Sequence, residues 1–580
     1  MAFRDHRSPS AGIPQWGVAL ILAAVILLPL TFFTVRFVAA ERTLYRADQL
    51  AYWTYSTGLA AGLTSHPVAA VAHVADSVAN SELNLLPAVP IATSMVVLGP
   101  SRLAYVVSVL DIYGLAVILA LVMALVTIRP EGSSPAPQAV FAGAASAILL
   151  LPGLWQPVFL GYLGLGGVAL CILVLALYLR RDAADLTLLD LMVIGFLIAL
   201  VAIFRRWYAF WSVALCAVIL GESVAAAWRC RGEGRRRVLG MFRPAAVIGL
   251  SSVVTLAVLA APVAARRLSG GYSEEFVGFA SGGGVGGTLQ AVVTEYGVLT
   301  LAVAAAALIG LVRRPRTRRT AAVIGFHLAL TFTMMSGLQA HDPQHWYLYA
   351  AGLLVLMGSW IVRLLEGCVR DRTQVLASAV AIAMGLLVSA AVLLPIAAPL
   401  ADAVTPVLPG LRVRPAVRQD LDEVARLMTE LDAATTRRPG YIYVLGCTSV
   451  LSEQSLAFVN RSLSTEFSSP RWILQTAHVD RRDGFPHMLL EADYVVVPDP
   501  PQINLRPSEQ QVVILPTTSF LEGTDVAKAY RRMPGEYHLD GGVRVAVFER
   551  VRPIRADEIG DLSARLREHY PDRPDIYSPE

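Results

Sequence analysis

Apolar residues fall in long blocks of Ala, Leu, Val and Ile up to about residue 400, after which ordinary mixed composition runs to Glu580. A helix needs roughly 20 largely apolar residues to cross about 30 Å of hydrocarbon. Eleven stretches meet or approach that length, at roughly 16–38, 101–127, 138–152, 160–179, 187–204, 207–228, 244–265, 291–312, 320–338, 347–365 and 375–400. The pattern predicts a polytopic α-helical membrane protein: a membrane body over 1–400 with about eleven transmembrane helices and a long first loop at 39–100, then a soluble domain over 401–580. Within the soluble part the pattern predicts helix 416–433, strand 441–446, helix 449–461, strands 494–498 and 511–515, helix 524–533 and strand 543–549. Alternation of this kind reads as a small α/β domain.

Composition sharpens the picture by exclusion. With 55% hydrophobic residues, 16% charged and a mean hydropathy of +0.56, neither a cytosolic enzyme nor a disordered chain fits. The net charge of +4 is too small and too dispersed to argue for nucleic acid. With the N-terminus inside, nineteen arginines of the connecting segments fall on the inner side and eight on the outer, as the positive-inside rule requires. That orientation places the C-terminal domain outside the membrane, in a periplasm or its equivalent. Of five cysteines only Cys447 lies in that domain, so no disulfide can form within it.

The unusual residues lie in the loops. The first loop is far longer than a link between two spans requires. It interleaves Tyr45, Tyr52, Trp53 and Tyr55 with apolar residues and has helical spacing over 67–78, which predicts short amphipathic helices at the membrane interface. Its carboxylates include Asp48, Asp76 and Glu82. Asp48, in Arg46-Ala47-Asp48-Gln49 just beyond the first span, either faces an aqueous cavity or caps a helix. A second polar group is His341-Asp342-Pro343-Gln344-His345-Trp346-Tyr347. Capping and an interfacial aromatic belt account for Asp342, Trp346 and Tyr347 but not for His341 and His345 as well, and polar groups at membrane depth mark a site by default.

External arginine pairs form the third feature. Arg205-Arg206 and Arg266-Arg267 stand against the inner-side bias, and a guanidinium matches a phosphate in bidentate fashion. Headgroup anchoring is the alternative. Tyr272-Ser273-Glu274-Glu275 and a glycine run follow Arg266; the run lacks the lysine and the strand-to-helix setting of a phosphate-binding P-loop. In the soluble domain Gly446-Cys447-Thr448-Ser449 lacks the Gly-x-Ser-x-Gly pattern of a nucleophile elbow, so a docking or acceptor-binding role is expected there.

An inside N-terminus, a long aromatic first loop with an acidic residue just past span one, and an external C-terminal domain together resemble the GT-C superfamily. These are membrane glycosyltransferases that use polyprenyl-phosphate sugars, among them aminoarabinose transferases and protein mannosyltransferases. The resemblance covers residues 1–400. It implies Asp48 as the catalytic base and Glu82, with Asp76 in reserve, as the second acidic residue; many members carry adjacent acidic residues where this chain has Gln49 after Asp48. Transfer from such a donor needs a carboxylate near the acceptor hydroxyl and cations near the leaving phosphate. Arg205, Arg206 and Arg266 suit the phosphate, and His341, Asp342, His345 and Tyr272 suit phosphate or sugar hydroxyls. A divalent metal is an optional supplement with no ligand set legible. The partners implied are a polyprenyl-phosphate-linked sugar donor, a glycan, lipid or protein acceptor and the lipids of a bacterial inner membrane. The competing readings are a multi-span transporter or flippase, and a polyprenyl-linked polysaccharide polymerase or ligase.

Overall fold

The computed structural model describes residues 15–128, 136–269, 279, 284–336, 343–366, 376, 380, 383, 407, 414–462 and 472–579. The chain divides into two compact units, one of Met1–Ala39, Tyr52–Gly270 and Ser281–Arg414 and the other of Ala40–Ala51, Gly271–Ala280 and Pro415–Glu580.

The first unit is mostly helical. Hydrocarbon offers no hydrogen bonds to a bare backbone, so each apolar block closes its N–H and C=O groups inside a helix. Among the described residues, six helical segments are long and apolar enough to cross a membrane: Trp16–Ala40, Arg102–Thr127, Tyr208–Arg229, Arg235–Leu259, Gly284–Val312 and Pro343–Glu366. The blocks predicted at 138–152, 160–179 and 187–204 form the shorter apolar helices Pro137–Leu149, Leu165–Leu179 and Leu188–Phe204, and that at 320–338 forms Arg318–Ser336. Apart from residues 376, 380 and 383, the block predicted at 375–400 lies outside the described residues.

Close packing explains the shortest of these helices. Pro137–Leu149 is buried along most of its length, and a side chain at Gly143 would collide with Val362 and the Gly358 carbonyl of Tyr347–Glu366. Gly167 likewise leaves room for the ring of Tyr208, whose hydroxyl donates to the Gly164 carbonyl at 2.9 Å. The Leu188–Phe204 helix starts on a reciprocal capping box between Thr187 and Asp190. The first loop folds into the helices Ala47–Ser65, Pro67–Asn80 and Val89–Leu98, in keeping with the helical spacing read there.

The second unit is built on a four-stranded sheet of β1 (Ile442–Val444), β2 (Tyr494–Asp499), β3 (Tyr530–Leu539) and β4 (Val543–Arg550), in the order β1-β2-β4-β3. β1 runs parallel to β2, while β4 is antiparallel to both β2 and β3. Tyr443, Val495, Val497, Val512 and Leu562 lie in its core.

Two predicted elements of the tail are different in the structure. Residues 511–515, a β-branched run, open the helix Gln511–Glu522 because buried Asp480 accepts the N–H groups of Gln511 and Val512, both at 2.7 Å. A cap supplied from thirty residues away overrides local strand preference. Residues 524–533 hold a short turn at Asp525–Ala529 and then enter β3, whose inward Tyr530, Tyr537 and Leu539 face the core. The remaining predicted elements are present with shifted ends.

Packing and pairing lead to two expected outcomes. Gly167→Ala inserts a methyl group into the Tyr208 ring and should lower the thermal midpoint, by a cost of about 1–3 kcal/mol, in melting of detergent-solubilised protein. In the tail, the Arg552 guanidinium, at 2.5 and 2.9 Å, holds Glu558 down to about 2. A depressed carboxyl contributes stability above its unfolded value near 4.5 and loses it as pH falls toward 2. Glu558→Gln should therefore flatten the loss of tail stability over that window, followed by near-ultraviolet circular dichroism.

Candidate functional site

The site in the helical unit grows from two helix ends. Leu188–Phe204 stops at Arg205, whose extended backbone breaks the helix, and Tyr208–Arg229 begins three residues later. The last carbonyls of a helix lack partners within it. Asn84 supplies one, donating to the Ile203 carbonyl at 2.7 Å, while its own side-chain oxygen accepts the Leu86 N–H at 3.0 Å. That double bond fixes the loop after Pro67–Asn80 against the helix end and brings Glu82 into an ion pair with Arg206. Arg266, exposed on Ala261–Ser269, donates to the carbonyl of Asn80 at the foot of the same loop.

Arg205 turns the other way, into the protein. Only 4% of it is exposed; its guanidinium lies over the Tyr52 ring at 4.4 Å and donates to Gln344 Oε1 at 2.6 Å. Gln344 sits in the turn Pro343–Trp346 that opens Tyr347–Glu366, beside buried His345, whose ring meets Trp207 edge-on at 5.6 Å. Tyr296 donates to the Trp346 carbonyl and Tyr347 to that of Leu154, at 3.0 Å for the latter, so the turn is pinned from two sides.

The predicted residues Glu82, Arg205, Arg206 and His345 thus stand on adjoining turns, with Arg266 bonded to the loop that carries Glu82. His341, Asp342 and Tyr272 lie outside the described residues. Asp76, the reserve carboxylate, accepts from Asn80 at 2.8 Å on an exposed helix face. Asp48 belongs to the second unit, in the first turn of Ala47–Ser65, where a carboxylate favours the helix dipole.

Sequence reading missed three polar residues of the helical unit. Arg102, 9% exposed, donates to the Leu160 carbonyl at 3.0 Å and lies 5.8 Å from the Trp53 ring. Glu295 packs within 3.1 Å of where a Gly153 side chain would begin, just before the break of the Gly284–Val312 helix at Gly297. Asp111 accepts from Thr31 at 2.7 Å in the wide helical turn Val109–Tyr113. The signal was present for Glu295 and Asp111, since each is a lone carboxylate in an apolar block.

Several expectations meet plainer chemistry. Glu222, a carboxylate within the Tyr208–Arg229 helix, is held at 3.0 and 3.2 Å by Arg319 and also accepts from Tyr178. Among the described residues no three His, Cys, Asp or Glu side chains converge where a metal ion could be held. Burial pushes the Cys447 thiol up to about 11, and it serves as donor to the Gln502 carbonyl and acceptor from Gln510.

The crystal structure of ArnT from Cupriavidus metallidurans in the apo state is similar to this chain with a TM-score of 0.50 and 14% identity, over 91% of this chain and 97% of that one. The chain has the fold of that ArnT structure. The structure of the same ArnT bound to undecaprenyl phosphate gives a TM-score of 0.47 at 14% identity, over 92% and 99%. No family model and no curated protein matches the sequence.

Burial separates the two arginines. The Arg206–Glu82 pair is about one-third exposed at each end, and a pair of that exposure contributes about 0.2–1 kcal/mol. Arg206→Gln should leave the thermal midpoint nearly unchanged. Arg205→Gln removes the bond to Gln344 and uncovers Tyr52, and should cost about 1–3 kcal/mol; thermal melts of the two variants in detergent check the contrast.

Proposed function

We propose that this protein is an integral membrane glycosyltransferase that moves a sugar from a polyprenyl-phosphate donor to a glycan, lipid or protein acceptor by inverting transfer. The observation that carries the reading is Arg205: a guanidinium buried at a helix break, oriented by Tyr52 and Gln344, with Arg206 and Glu82 on the adjoining turns. A buried, fixed cation is what a departing phosphate requires, because charge that develops in the reaction is stabilised most where water is excluded and the donor is already aimed. The GT-C fold over nearly the whole chain supports the same class.

In this reading Asp48 takes the proton of the acceptor hydroxyl as that oxygen attacks the anomeric carbon. The bond to the phosphate oxygen breaks, and the negative charge passes to a leaving polyprenyl phosphate met by Arg205 and Arg206, with Arg266 as a further cation. Glu82 sets the direction of Arg206. His345, with His341, Asp342 and Tyr272, is assigned to sugar or phosphate oxygens. The distribution of arginines supports a bacterial inner-membrane protein with its N-terminus cytoplasmic and residues 401–580 outside.

The test is transfer of radiolabelled sugar from a panel of polyprenyl-phosphate donors to membrane extract. Asp48→Asn should lower turnover about 10²- to 10⁴-fold with donor binding retained. Arg205→Lys keeps the charge but loses the planar fork, and should lower turnover on the order of 10²-fold. No transfer with any donor from folded wild-type protein would overturn the reading.

A further inference from the structure

The soluble tail holds the chain segment that carries Asp48, and we infer that Gln454 is a positioning residue for it. The inference rests on the reading of Asp48 as the base and names a task for the tail other than acceptor docking. Residues Ala40–Ala51 fold with Pro415–Glu580 as one compact unit. The attachment starts as a parallel bridge between Arg42 and Val417: the Arg42 N–H donates to the Ala416 carbonyl at 2.9 Å, and the Arg418 N–H donates to the Arg42 carbonyl at 2.7 Å. Tyr45, buried, meets the Phe458 ring edge-on at 5.2 Å. The Arg46 guanidinium reaches the Cys447 carbonyl at 3.3 Å.

The last contact falls on the residue before Asp48. Ala47 has φ of 49°, in the left-handed region, where a residue with a side chain is strained by about 1–2 kcal/mol. Its N–H donates to the side-chain oxygen of Gln454. That bond holds the chain in a turn it would otherwise leave, and the turn sets the first residues of Ala47–Ser65, Asp48 among them.

Gln454 is itself well supported. It sits in the first turn of Glu453–Ser462, where the Ser452 hydroxyl accepts the Ser455 N–H at 3.1 Å and Glu453 meets His478 at 3.1 Å. The loop leading into this helix is tied down by Arg418, which donates to the Ser449 and Val450 carbonyls at 2.8 and 2.9 Å while gripping Asp420 through two bonds. Arg418 also follows Val417 in the bridge, so one residue links the strand that receives Arg42 to the loop that presents Gln454.

The mechanism is geometric: a general base displaced by about 1 Å loses on the order of 10²-fold in rate. In full-length protein, Gln454→Ala should lower kcat about 10- to 100-fold while donor KM stays within about twofold, and should raise hydrogen exchange of the 42–50 segment. Glycine adopts a φ of 49° without strain, so Ala47→Gly combined with Gln454→Ala should recover most of the lost turnover and part of the protection. A merely structural contact would give neither the kcat-only effect nor that rescue. Wild-type turnover and exchange in Gln454→Ala would overturn the positioning role with the base assignment intact, whereas full turnover in Asp48→Asn would overturn the base assignment itself.

Discussion

A backbone in hydrocarbon must pair with itself, and the arrangement of polar chemistry in the helical unit depends on that requirement. Helices satisfy it everywhere except at their ends, where up to four carbonyls or N–H groups lack partners. Side-chain donors and acceptors therefore gather at helix ends. The break at Arg205–Trp207 shows the consequence: Asn84 completes the Ile203 carbonyl, and in doing so fixes the loop that carries Glu82 next to Arg206.

Arg205 takes the same logic further. A guanidinium removed from water needs its charge and its donors met, and here an aromatic face and an amide oxygen supply part of that. Tyr52 comes from the first loop and Gln344 from the turn before the Tyr347–Glu366 helix, so three distant parts of the sequence must all be folded before the cation is in place. Such a cation is preorganised, as the role proposed for it toward a leaving phosphate requires. Aromatic hydroxyls of Tyr208, Tyr296 and Tyr347 complete nearby carbonyls and keep the surrounding turns rigid.

The second unit is braced differently. Its sheet has only four strands, and buried polar residues act as braces: Asp480 caps a helix, Arg418 grips Asp420 and two carbonyls, and Arg552 grips Glu558. Through the Arg42 bridge and Gln454 the same bracing extends to residues of the first loop.

Sequence alone determined the helical class and the places of the apolar helices up to residue 366, because the length of an apolar block and the demand for internal backbone pairing act locally and leave one solution. It also singled out the arginine pair at 205–206, whose position at the end of an apolar block is visible in one dimension, although its contacts with Tyr52, Gln344 and the Asn84-fixed Glu82 are not. Only the tertiary structure decided which elements the tail adopts at 511–522 and 530–539, since the deciding partners, Asp480 and β4, lie far off in the chain. It alone tied Ala47 to Gln454, four hundred residues away, for a hydrogen bond between such distant positions leaves no periodicity or spacing in the sequence to be read.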